Sequence, residues 1–327
     1  MTSELMEAWQ SAEPGLDHLA RVKMARPTPA PEEIVVRVET SALNFSDLLM
    51  IDDRYQVRPP RPFIPGQEVA GTVALAGERS GFRVGDRVAS KVNWGGFAEY
   101  VAVRGDMAIS VPNDASAAAA CALPVVYTTA MVALTESTTV SADETVLVLA
   151  AAGGVGLAAV EIARHLGARV IAVAGGQEKC ALAKTFGANE AVDYHKDKWG
   201  EEVKQLTGGS GIDVIVDPVG GSAAKEAMRL IAWQGRYLIV GFTSGEIPAI
   251  PANRLLLKRA AAIGVYWNHD RDAVMIRRVS ERLSDWLKSG TIRPHIGSTF
   301  PFDQLPTALR ALNDRKTTGK VILSLNQ

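Results

Sequence analysis

Cysteine is scarce in this 327-residue chain, and its histidines nowhere show the spacing of metal ligands. The two cysteines, Cys121 and Cys180, lie far apart in alanine-rich surroundings, and no C-x-x-C pair occurs. Structural zinc sites need such pairs, and disulfides are rare in reducing compartments. We therefore expect both thiols to be small buried groups, with no metal site and no disulfide.

Nucleic-acid-binding, secreted and membrane proteins are disfavoured by what the chain lacks. The 35 basic and 36 acidic residues give a formal net charge of −1, so no overall charge attracts nucleic acid or an acidic membrane surface. The first residues, MTSELMEAWQSAEPG, show neither the basic nor the apolar region of a signal peptide. No apolar run approaches the roughly 20 residues that span a bilayer. We expect a cytoplasmic protein that binds no nucleic acid and no membrane.

Short strand patterns, separated by glycine, proline and aspartate turns, fill the first third of the chain. Residues 33–40 (EIVVRVET) alternate apolar and polar side chains, which indicates a half-buried strand. A short helix is predicted over residues 44–51. Further strands are predicted over residues 69–75, 87–92, 97–103 and 107–111. This spacing favours a β-barrel or a β-sandwich.

The strongest pattern lies at residues 144–179, ETVLVLAAAGGVGLAAVEIARHLGARVIAVAGGQEK. An apolar run, a turn of small residues, a helix-period segment and a second apolar run follow one another, which predicts a βαβ unit. The three glycine positions of the G-x-G-x-x-G motif fall on Ala151, Gly153 and Gly156, so alanine takes the first position. Gly153 lets the backbone approach a pyrophosphate, and Gly156 lets the helix pack close to the strand. The sequence therefore predicts dinucleotide binding here rather than a plain tight turn.

Helices and strands alternate through the second half of the chain. A helix beginning near Asp114 is predicted first, followed by a second helix over residues 125–135. Later helices are predicted over residues 177–186, 199–206, 222–231 and 271–288, and strands over residues 190–193, 213–217, 235–240 and 260–266. Such alternation predicts a parallel, doubly wound sheet, inserted between an N-terminal β-rich part and a short C-terminal part.

Nine short segments along residues 34–327 match motifs of one protein family, in the order in which that family carries them. They are ALNFSDLLMIDDRY, PFIPGQEVAGTV, GFRVGDRVAS, GGFAEYV, AAGGVGLAAVEIA, GANEAVDY, DVIVDPVGG, GRYLIVGFTSG and TTGKVIL. With them the chain resembles the medium-chain dehydrogenases/reductases, specifically the zinc-free, zeta-crystallin-like NADPH:quinone oxidoreductase branch. The resemblance implies an α/β protein with a GroES-like catalytic domain at residues 1–122 and 268–327. It also implies a Rossmann domain at residues 123–267 and a ligand cleft between the two.

The resemblance implies chemistry without a metal. Zinc-dependent relatives carry a cysteine after the third strand and a histidine in a G-H-E motif, whereas this chain has Asn44–Asp47 and Gly66-Gln67-Glu68 there. The implied reaction is NADPH-dependent reduction of a quinone or another conjugated carbonyl, usually by a homodimer or tetramer. A reductase of enoyl thioesters or alkenals is the alternative. A non-enzymatic NADPH sensor or structural protein is the third interpretation.

The predicted cofactor is NADPH, because the strand after the glycine turn ends without an acidic residue. NAD-specific sites place an aspartate or glutamate there, and this chain has Gly175 and Gly176. Lys179 is predicted to pair with the 2′-phosphate, the alternative being a solvated surface charge. The resemblance places Tyr194 near the adenosine and Arg315 near the same phosphate. The predicted cofactor-binding residues are Ala151, Gly153, Gly154, Val155, Gly156, Gly175, Lys179, Tyr194, Gly241, Phe242, Thr243, Val265, Trp267 and Arg315.

Three polar residues are the catalytic candidates, since the site needs to supply orientation, dryness and a hydrogen-bond donor for an oxyanion. Asn44 is predicted to contact the nicotinamide ribose or the substrate oxygen, unless it only caps a helix. Tyr55 closes over the substrate or packs as a loop aromatic. Thr129 bonds a phosphate or the carboxamide. Asp47, for which a structural role is favoured, and Tyr127 are expected on the same wall.

Three arginines, Arg54, Arg58 and Arg61, crowd the loop that holds Tyr55. The simpler interpretation is surface charge balanced by Asp52 and Asp53. The sharper hypothesis is an entrance selective for anionic substrates such as acyl-CoA thioesters.

Overall fold

The computed structural model describes residues 4–325, which fold as two compact units. Residues 4–125 and 272–325 form the β-rich unit, and residues 126–271 form the Rossmann unit. The two boundaries thus follow residues 125 and 271, where the sequence predicts boundaries after residues 122 and 267.

Strands and helices are labelled in chain order. The strands are β1 (Leu5–Ser11), β2 (Leu19–Ala25), β3 (Glu33–Leu43), β4 (Glu68–Ala76), β5 (Arg87–Lys91), β6 (Tyr100–Arg104), β7 (Ala108–Ser110), β8 (Thr145–Leu149), β9 (Arg169–Ala174), β10 (Glu190–Asp193), β11 (Ile212–Asp217), β12 (Ile231–Ile239), β13 (Ala261–Gly264), β14 (Ile296–Pro301) and β15 (Lys320–Ser324). The helices are α1 (Phe45–Ile51), α2 (Ala117–Cys121), α3 (Thr128–Met131), α4 (Gly154–His165), α5 (Gln177–Thr185), α6 (Trp199–Leu206), α7 (Gly221–Ala227), α8 (Ala252–Lys258), α9 (His269–Ser289) and α10 (Leu305–Asn313).

The Rossmann unit contains a six-stranded parallel sheet in the order β10-β9-β8-β11-β12-β13. Its central strands are near-continuous apolar runs, because helices cover both faces of such a sheet. In β8, Val146 to Leu149 are all buried. The strand order reverses between β8 and β11, and ligands of open α/β sheets bind at the carboxyl ends of strands beside such a reversal. The predicted doubly wound sheet is confirmed.

The β-rich unit is organised around β3, which pairs with β4, β6 and β15. The seven-stranded sheet also contains β5, β7 and β14. Strand β3 is antiparallel to both β4 and β15. Its carboxyl end therefore lies beside the beginnings of those two strands, although they are distant in sequence.

Several local predictions need correction. The N-cap of α2 is Ser116, whose Oγ accepts a hydrogen bond from the Ala119 N–H at 3.1 Å, rather than Asp114. Helix α7 ends at Ala227, and Ile231 already begins β12. The hairpin of β1 and β2 and helix α8 were not predicted. The three adjacent leucines of α8 lack helical spacing, and most of β2 is exposed without an apolar face.

One apolar stretch is longer than the sequence analysis allows. The helical residues Ala117–Glu136 form a 20-residue run that is long and apolar enough to cross a membrane. Within its 18-residue apolar window, 72% is buried inside the protein, as in a core helix. Two π-helical turns, Leu123–Tyr127 and Val132–Glu136, flank α3 in this run. The statement that no run approaches membrane-spanning length is therefore wrong.

Candidate active site

The glycine turn between β8 and α4 has the geometry that the sequence predicts. A Cβ atom on Gly156 would lie 2.2 Å from the Ala150 carbonyl oxygen and 2.7 Å from the Ala151 Cα, so only glycine fits where the helix meets the strand. Ala150 has the left-handed φ of 48°, uncommon for a residue with a side chain. A Cβ on Gly153 would meet only the Ala150 oxygen, at 3.3 Å.

Helix α4 begins at this turn, with Gly153 as its N-cap. The first N–H groups of an α-helix have no carbonyl partner within the helix, and here they belong to Gly154, Val155 and Gly156. Together with the helix dipole they favour a bound anion such as a pyrophosphate. Ala151 is buried, and its N–H bonds to the Val173 oxygen at 3.0 Å, which fixes the turn to β9.

Gly175 and Tyr194 lie together at the carboxyl ends of β9 and β10. A Cβ on Gly175 would come within 2.7 Å of the Tyr194 hydroxyl and 3.0 Å of the His195 ring. The Tyr194 side chain remains 43% exposed, and its ring packs edge-on against His195 with 4.6 Å between centroids. Glycine is therefore required at position 175 to make room for the Tyr194 and His195 side chains. The predicted binding of adenosine by Tyr194 stays a prediction.

An acidic residue missed by the sequence analysis lies beside the same turn. Asp193 Oδ1 accepts hydrogen bonds from the N–H groups of Gly176, at 2.8 Å, and His195, at 3.0 Å. These two bonds, the Gly176 bond first, hold the pKa of Asp193 below its ordinary value. The carboxylate comes from β10 rather than from β9, so the rule about the second strand does not find it. The pairing of Asp193 with Ala174 in the sheet explains the proximity.

Lys179 and Arg315, predicted for the 2′-phosphate, belong to different units. Lys179 is half-buried in the first turn of α5, after the exposed Glu178. Arg315 is exposed just beyond α10 and has a left-handed φ of 57°. Their roles toward the phosphate remain predictions.

The loop after β12 is fixed to the end of β11. The Thr243 N–H and hydroxyl both donate to the Pro218 oxygen, at 3.1 and 3.0 Å, and the Gly241 N–H donates to the Asp217 oxygen at 3.3 Å. The buried Asp217 carboxylate accepts from the Gly220 N–H at 2.9 Å and from the Tyr237 hydroxyl. The predicted nicotinamide contacts, including the half-buried Phe242, thus lie on an anchored loop at the carboxyl edge of the sheet.

Two predicted cofactor-binding residues, Val265 and Trp267, follow the carboxyl end of β13. Val265 is buried, and its N–H bonds to the Ile239 oxygen at 2.9 Å. The indole N–H of Trp267 donates to the Thr129 hydroxyl oxygen at 3.1 Å. Two predicted site residues that are 138 positions apart are therefore in direct contact.

Tyr127 does not contribute a free hydroxyl to this part of the unit. It is buried, and its hydroxyl donates to the Glu161 carboxylate of α4. Burial first, and then the Glu161 charge, raise the pKa of Tyr127 well above its ordinary value. The Tyr127 hydroxyl hydrogen is therefore used inside the Rossmann unit, and the expected position of Tyr127 on the wall of the site stays a prediction.

Asn44 lies in the β-rich unit within a buried network of charges. The Lys320 ammonium is 2.8 Å from Glu68 Oε2 and 2.8 Å from Asn44 Oδ1. Asn44 follows β3, whereas Glu68 and Lys320 begin β4 and β15, so the antiparallel pairing brings the three together. The Asn44 amide donates to Glu68 Oε2 at 3.1 Å and to the Ala42 oxygen at 3.3 Å.

This network decides how Asn44 can interact with a ligand. An ammonium only donates and a carboxylate only accepts, so the Asn44 oxygen must face Lys320 and the nitrogen must face Glu68. Both amide hydrogens are then engaged by the protein. One lone pair of Oδ1 remains, which suits a ligand hydroxyl but cannot stabilise an oxyanion.

Asp47 completes the buried group. Its Oδ2 accepts a hydrogen bond from the Asn44 N–H at 2.8 Å, and its other oxygen has no partner among residues 4–325. Burial raises the pKa of Asp47 to about 7. The backbone bond to Asn44 makes Asp47 part of the α1 N-terminus, in agreement with its predicted structural role.

Tyr55 and the arginine loop are only partly as predicted. Tyr55 is half-buried, and its N–H bonds to the Leu49 oxygen at 3.1 Å. Arg61 is fixed by Asp53 at 2.8 Å and by the Ile51 oxygen at 2.7 Å, so it is not available to a substrate. Arg54 and Arg58 are exposed. An entrance for anions would therefore contain these two arginines and not Arg61.

The β-rich unit also has an open groove of about 1050 Å³, away from these residues. The ion pairs Arg79–Glu32 and Arg104–Asp106 lie along it, together with side chains of α9. Its lining contains none of the predicted site residues.

A β-rich unit joined to an inserted Rossmann unit defines a medium-chain dehydrogenase/reductase. The family described as alcohol dehydrogenase GroES-like domain matches residues 30–113, and zinc-binding dehydrogenase matches residues 154–288. Quinone oxidoreductase-like protein 2 of Rattus norvegicus is 39% identical over 310 residues, which cover 93% of this chain and 88% of the relative.

Solved structures agree with this result. The quinone oxidoreductase of Thermus thermophilus, also solved in complex with NADPH, is 36% identical with a TM-score of 0.84, covering 98% of this chain and 100% of that one. The Escherichia coli quinone oxidoreductase complexed with NADPH is 26% identical with a TM-score of 0.90, covering 97% and 99%. The chain belongs to the quinone oxidoreductase family of medium-chain dehydrogenases/reductases and is an oxidoreductase of that family. The predicted family and fold class are confirmed.

The name of the second matching family raises the question of zinc. The residues present do not fit a zinc site, since neither Asn44–Asp47 nor Gly66-Gln67-Glu68, where the family resemblance implies a zinc-binding cysteine and histidine, contains either residue. The ammonium of Lys320 already neutralises Glu68, whose other oxygen accepts the Val125 N–H at 2.7 Å. Among the described residues, no group of three or more histidine, cysteine, aspartate or glutamate side chains is arranged to hold a metal.

Proposed function

We propose that the protein is an NADPH-dependent reductase of quinones or other conjugated carbonyl compounds that works without a metal. The observation that supports this most is the turn between β8 and α4. At Gly156 the helix backbone packs closely against the Ala150 and Ala151 backbone, and the helix N-terminus offers free N–H groups to a pyrophosphate. Relatives named quinone oxidoreductase, two of them solved with NADPH, support the cofactor and the substrate class.

The choice of NADPH rests on the residues around Gly175. Strand β9 ends in Ala174 and Gly175 follows it, so no side-chain carboxylate from that strand meets the ribose. Asp193 is close, but one of its oxygens is saturated by the N–H groups of Gly176 and His195. Lys179 supplies a positive charge one turn into α5.

The protein's own part in the reaction is to bind, to orient and to exclude water. NADPH supplies the hydride when bound. The anchored loop at Gly241–Thr243 and the strand end at Val265 provide rigid backbone at the carboxyl edge of the sheet. Asn44, held by Lys320 and Glu68, offers one acceptor to a sugar hydroxyl.

The test is NADPH oxidation by the purified protein with benzoquinones, ortho-quinones, alkenals and crotonyl- or acryloyl-CoA. We expect turnover with a quinone and no loss of activity after dialysis against a chelator. Turnover with alkenals but with no quinone would support the alternative. Turnover with the CoA esters alone would instead support the enoyl-thioester alternative. Tight NADPH binding without turnover on any acceptor would support a sensor or structural protein.

Two further features belong to the proposal. We expect a homodimer, formed through the free edge of β13, which is the outermost strand of the sheet. The cytoplasmic location and the absence of nucleic-acid and membrane partners stay predictions.

A further inference from the structure

The hydrogen bond from Trp267 to Thr129 gives the proposed reaction a feature that the family resemblance does not supply. The bond joins α3 to the segment after β13, and both side chains are half-buried. Strand β13 runs parallel to β12, so Trp267 lies at the carboxyl end of the sheet, where ligands of this fold bind. The inference rests on the proposed function, since it concerns the same reaction.

Reduction of a conjugated carbonyl places negative charge on the carbonyl oxygen, which then needs a hydrogen-bond donor. The polar side chains predicted for the site differ in what they can donate. Both Asn44 amide hydrogens are used by Glu68 and the Ala42 oxygen. The Tyr127 hydroxyl hydrogen is used by Glu161. Neither can donate without losing a bond inside the protein.

Thr129 is in the opposite situation. An indole N–H can only donate, so the Thr129 oxygen must be the acceptor in this bond. A hydroxyl has one hydrogen to give, and in the part of the chain that the structure describes no hydrogen bond uses the hydrogen of Thr129. Accepting a hydrogen bond also makes a hydroxyl a better donor, because chained hydrogen bonds polarise one another.

We propose that Thr129 donates a hydrogen bond to the carbonyl oxygen of the substrate and that Trp267 is the positioning residue that directs it. With NADPH bound, a C–H bond of its reduced nicotinamide would break as the hydride forms a new C–H bond on the substrate, and the π electrons of the conjugated system would move to the oxygen. NADPH is thereby oxidised and the substrate is reduced by two electrons. Thr129 keeps its proton, and a proton from water neutralises the oxyanion.

Four variants test this assignment: Thr129→Val, Thr129→Ser, Trp267→Phe and the double variant Thr129→Val/Trp267→Phe. Valine keeps the shape without the hydroxyl, and phenylalanine keeps an aromatic ring without the N–H. Each variant is measured for kcat, KM, NADPH dissociation constant and binding of 4-nitrophenolate in the presence of NADP+. The phenolate is an oxyanion probe whose absorption band reports its hydrogen bonding without turnover.

We expect Thr129→Val to lower kcat about 100-fold and Trp267→Phe to lower it about 3- to 10-fold. Thr129→Ser should restore most of the rate. The double variant should be no slower than Thr129→Val, because Trp267 acts through the hydroxyl. Phenolate affinity should fall in the same order, while the NADPH dissociation constant changes less than about twofold.

Two results would overturn the assignment. One is a Trp267→Phe effect that persists undiminished in the Thr129→Val background. The other is a Thr129→Val variant that binds NADPH more weakly but keeps its kcat and its phenolate affinity, which would place the hydroxyl on the cofactor. Failure of the proposed function gives a different result from failure of the Thr129 assignment. In that case the unmodified protein would oxidise no NADPH with any conjugated carbonyl.

Discussion

Asn44 shows how one residue can be found in the sequence while its role is set elsewhere. Its place after a strand, in a phrase shared with a family, makes it a candidate. Whether its amide gives or accepts a hydrogen bond depends on Lys320, 276 positions away. The same dependence holds for Thr129, whose hydroxyl is directed by Trp267.

Asp47 should make the folded protein less stable as the pH rises, whereas most carboxyl groups make proteins less stable as the pH falls. Its pKa is about 7 in the folded protein against a reference value of 3.8, so the folded state holds a proton that the unfolded state releases. The contribution of protonated Asp47 to the free energy of unfolding is therefore complete below about pH 4. It decreases as the pH rises toward 7 and is constant above that. At 1.36 kcal/mol per pKa unit, the upper limit of the loss is about 4 kcal/mol.

Replacing Asp47 by asparagine should remove this dependence. We expect Asp47→Asn to equal the unmodified protein in urea unfolding near pH 4 and to be more stable at pH 8. Asp52→Asn, at an exposed position just after α1, is the matched control. Equal stability of Asp47→Asn and the unmodified protein at both pH values would contradict the prediction.

Lys179 should distinguish NADPH from NADH. Loss of a charge-assisted bond to the 2′-phosphate corresponds to about 1.5–3 kcal/mol. We expect Lys179→Ala to raise the NADPH dissociation constant at least about 10-fold and to change that of NADH less than about twofold. Lys184→Ala, at an exposed position of the same helix, is the control. An equal effect on both cofactors, measured by titration, would remove Lys179 from this role.

At the scale of single elements, the unit from β8 through α4 to β9 was predictable because its signals are local. An apolar run, glycines at fixed spacing and a helical period lie within one short segment. Helix α9 was also predicted, but not its irregularity at Asp272, with φ −113° and ψ 18°. The chain passes from one unit to the other at this residue.

Gly156 and Gly153 should differ in what their replacement changes. Gly156→Ala places a Cβ 2.2 Å from a backbone oxygen that cannot move freely, so we expect it to cost about 3 kcal/mol of unfolding free energy and to abolish NADPH binding. Gly153 has φ −83° and ψ 176°, which alanine accepts.

We therefore expect Gly153→Ala to fold with a loss below about 1 kcal/mol, because its Cβ lies 3.3 Å from the Ala150 oxygen and a small shift relieves that contact. We also expect it to bind NADPH more weakly, because the same Cβ would hinder the proposed approach of the backbone to the pyrophosphate. Thermal unfolding and cofactor titration of both variants measure the difference. A Gly156→Ala protein as stable as Gly153→Ala would show that the helix does not depend on this close approach.

On the scale of the whole molecule, the exposed apolar side chains of the Rossmann unit concentrate in the segment that ends beyond β13. Leu256 and Leu257 of α8 are 80% and 72% exposed, and Ile247 and Tyr266 are similarly exposed. Exposed apolar side chains in and near a strand at the edge of a sheet are typical of an interface between subunits. This arrangement supports the proposed homodimer.

If the interface lies at α8, a double substitution on its exposed face should halve the mass of the particle in solution while the chain still folds. We expect the unmodified protein to elute at about twice 34.9 kDa in size-exclusion chromatography with light scattering. Leu256→Glu/Leu257→Glu should elute as a monomer, because two charges would be buried at the interface. Val84→Glu, at an exposed position of the β-rich unit, should stay dimeric. A double variant of unchanged mass would place the interface elsewhere.

The sequence by itself determined the family, the α/β class, the βαβ unit and the glycine turn, because these depend on spacing within short segments. The hydrogen-bond partners at the candidate site were decided only by the tertiary structure. Sheet pairing brings Asn44, Glu68 and Lys320 together, and adjacent parallel strands bring Asp193 to Gly176. The meeting of Trp267 and Thr129 depends on how α3 packs near the end of β13. Such contacts follow from which strand lies beside which, and no local pattern specifies that.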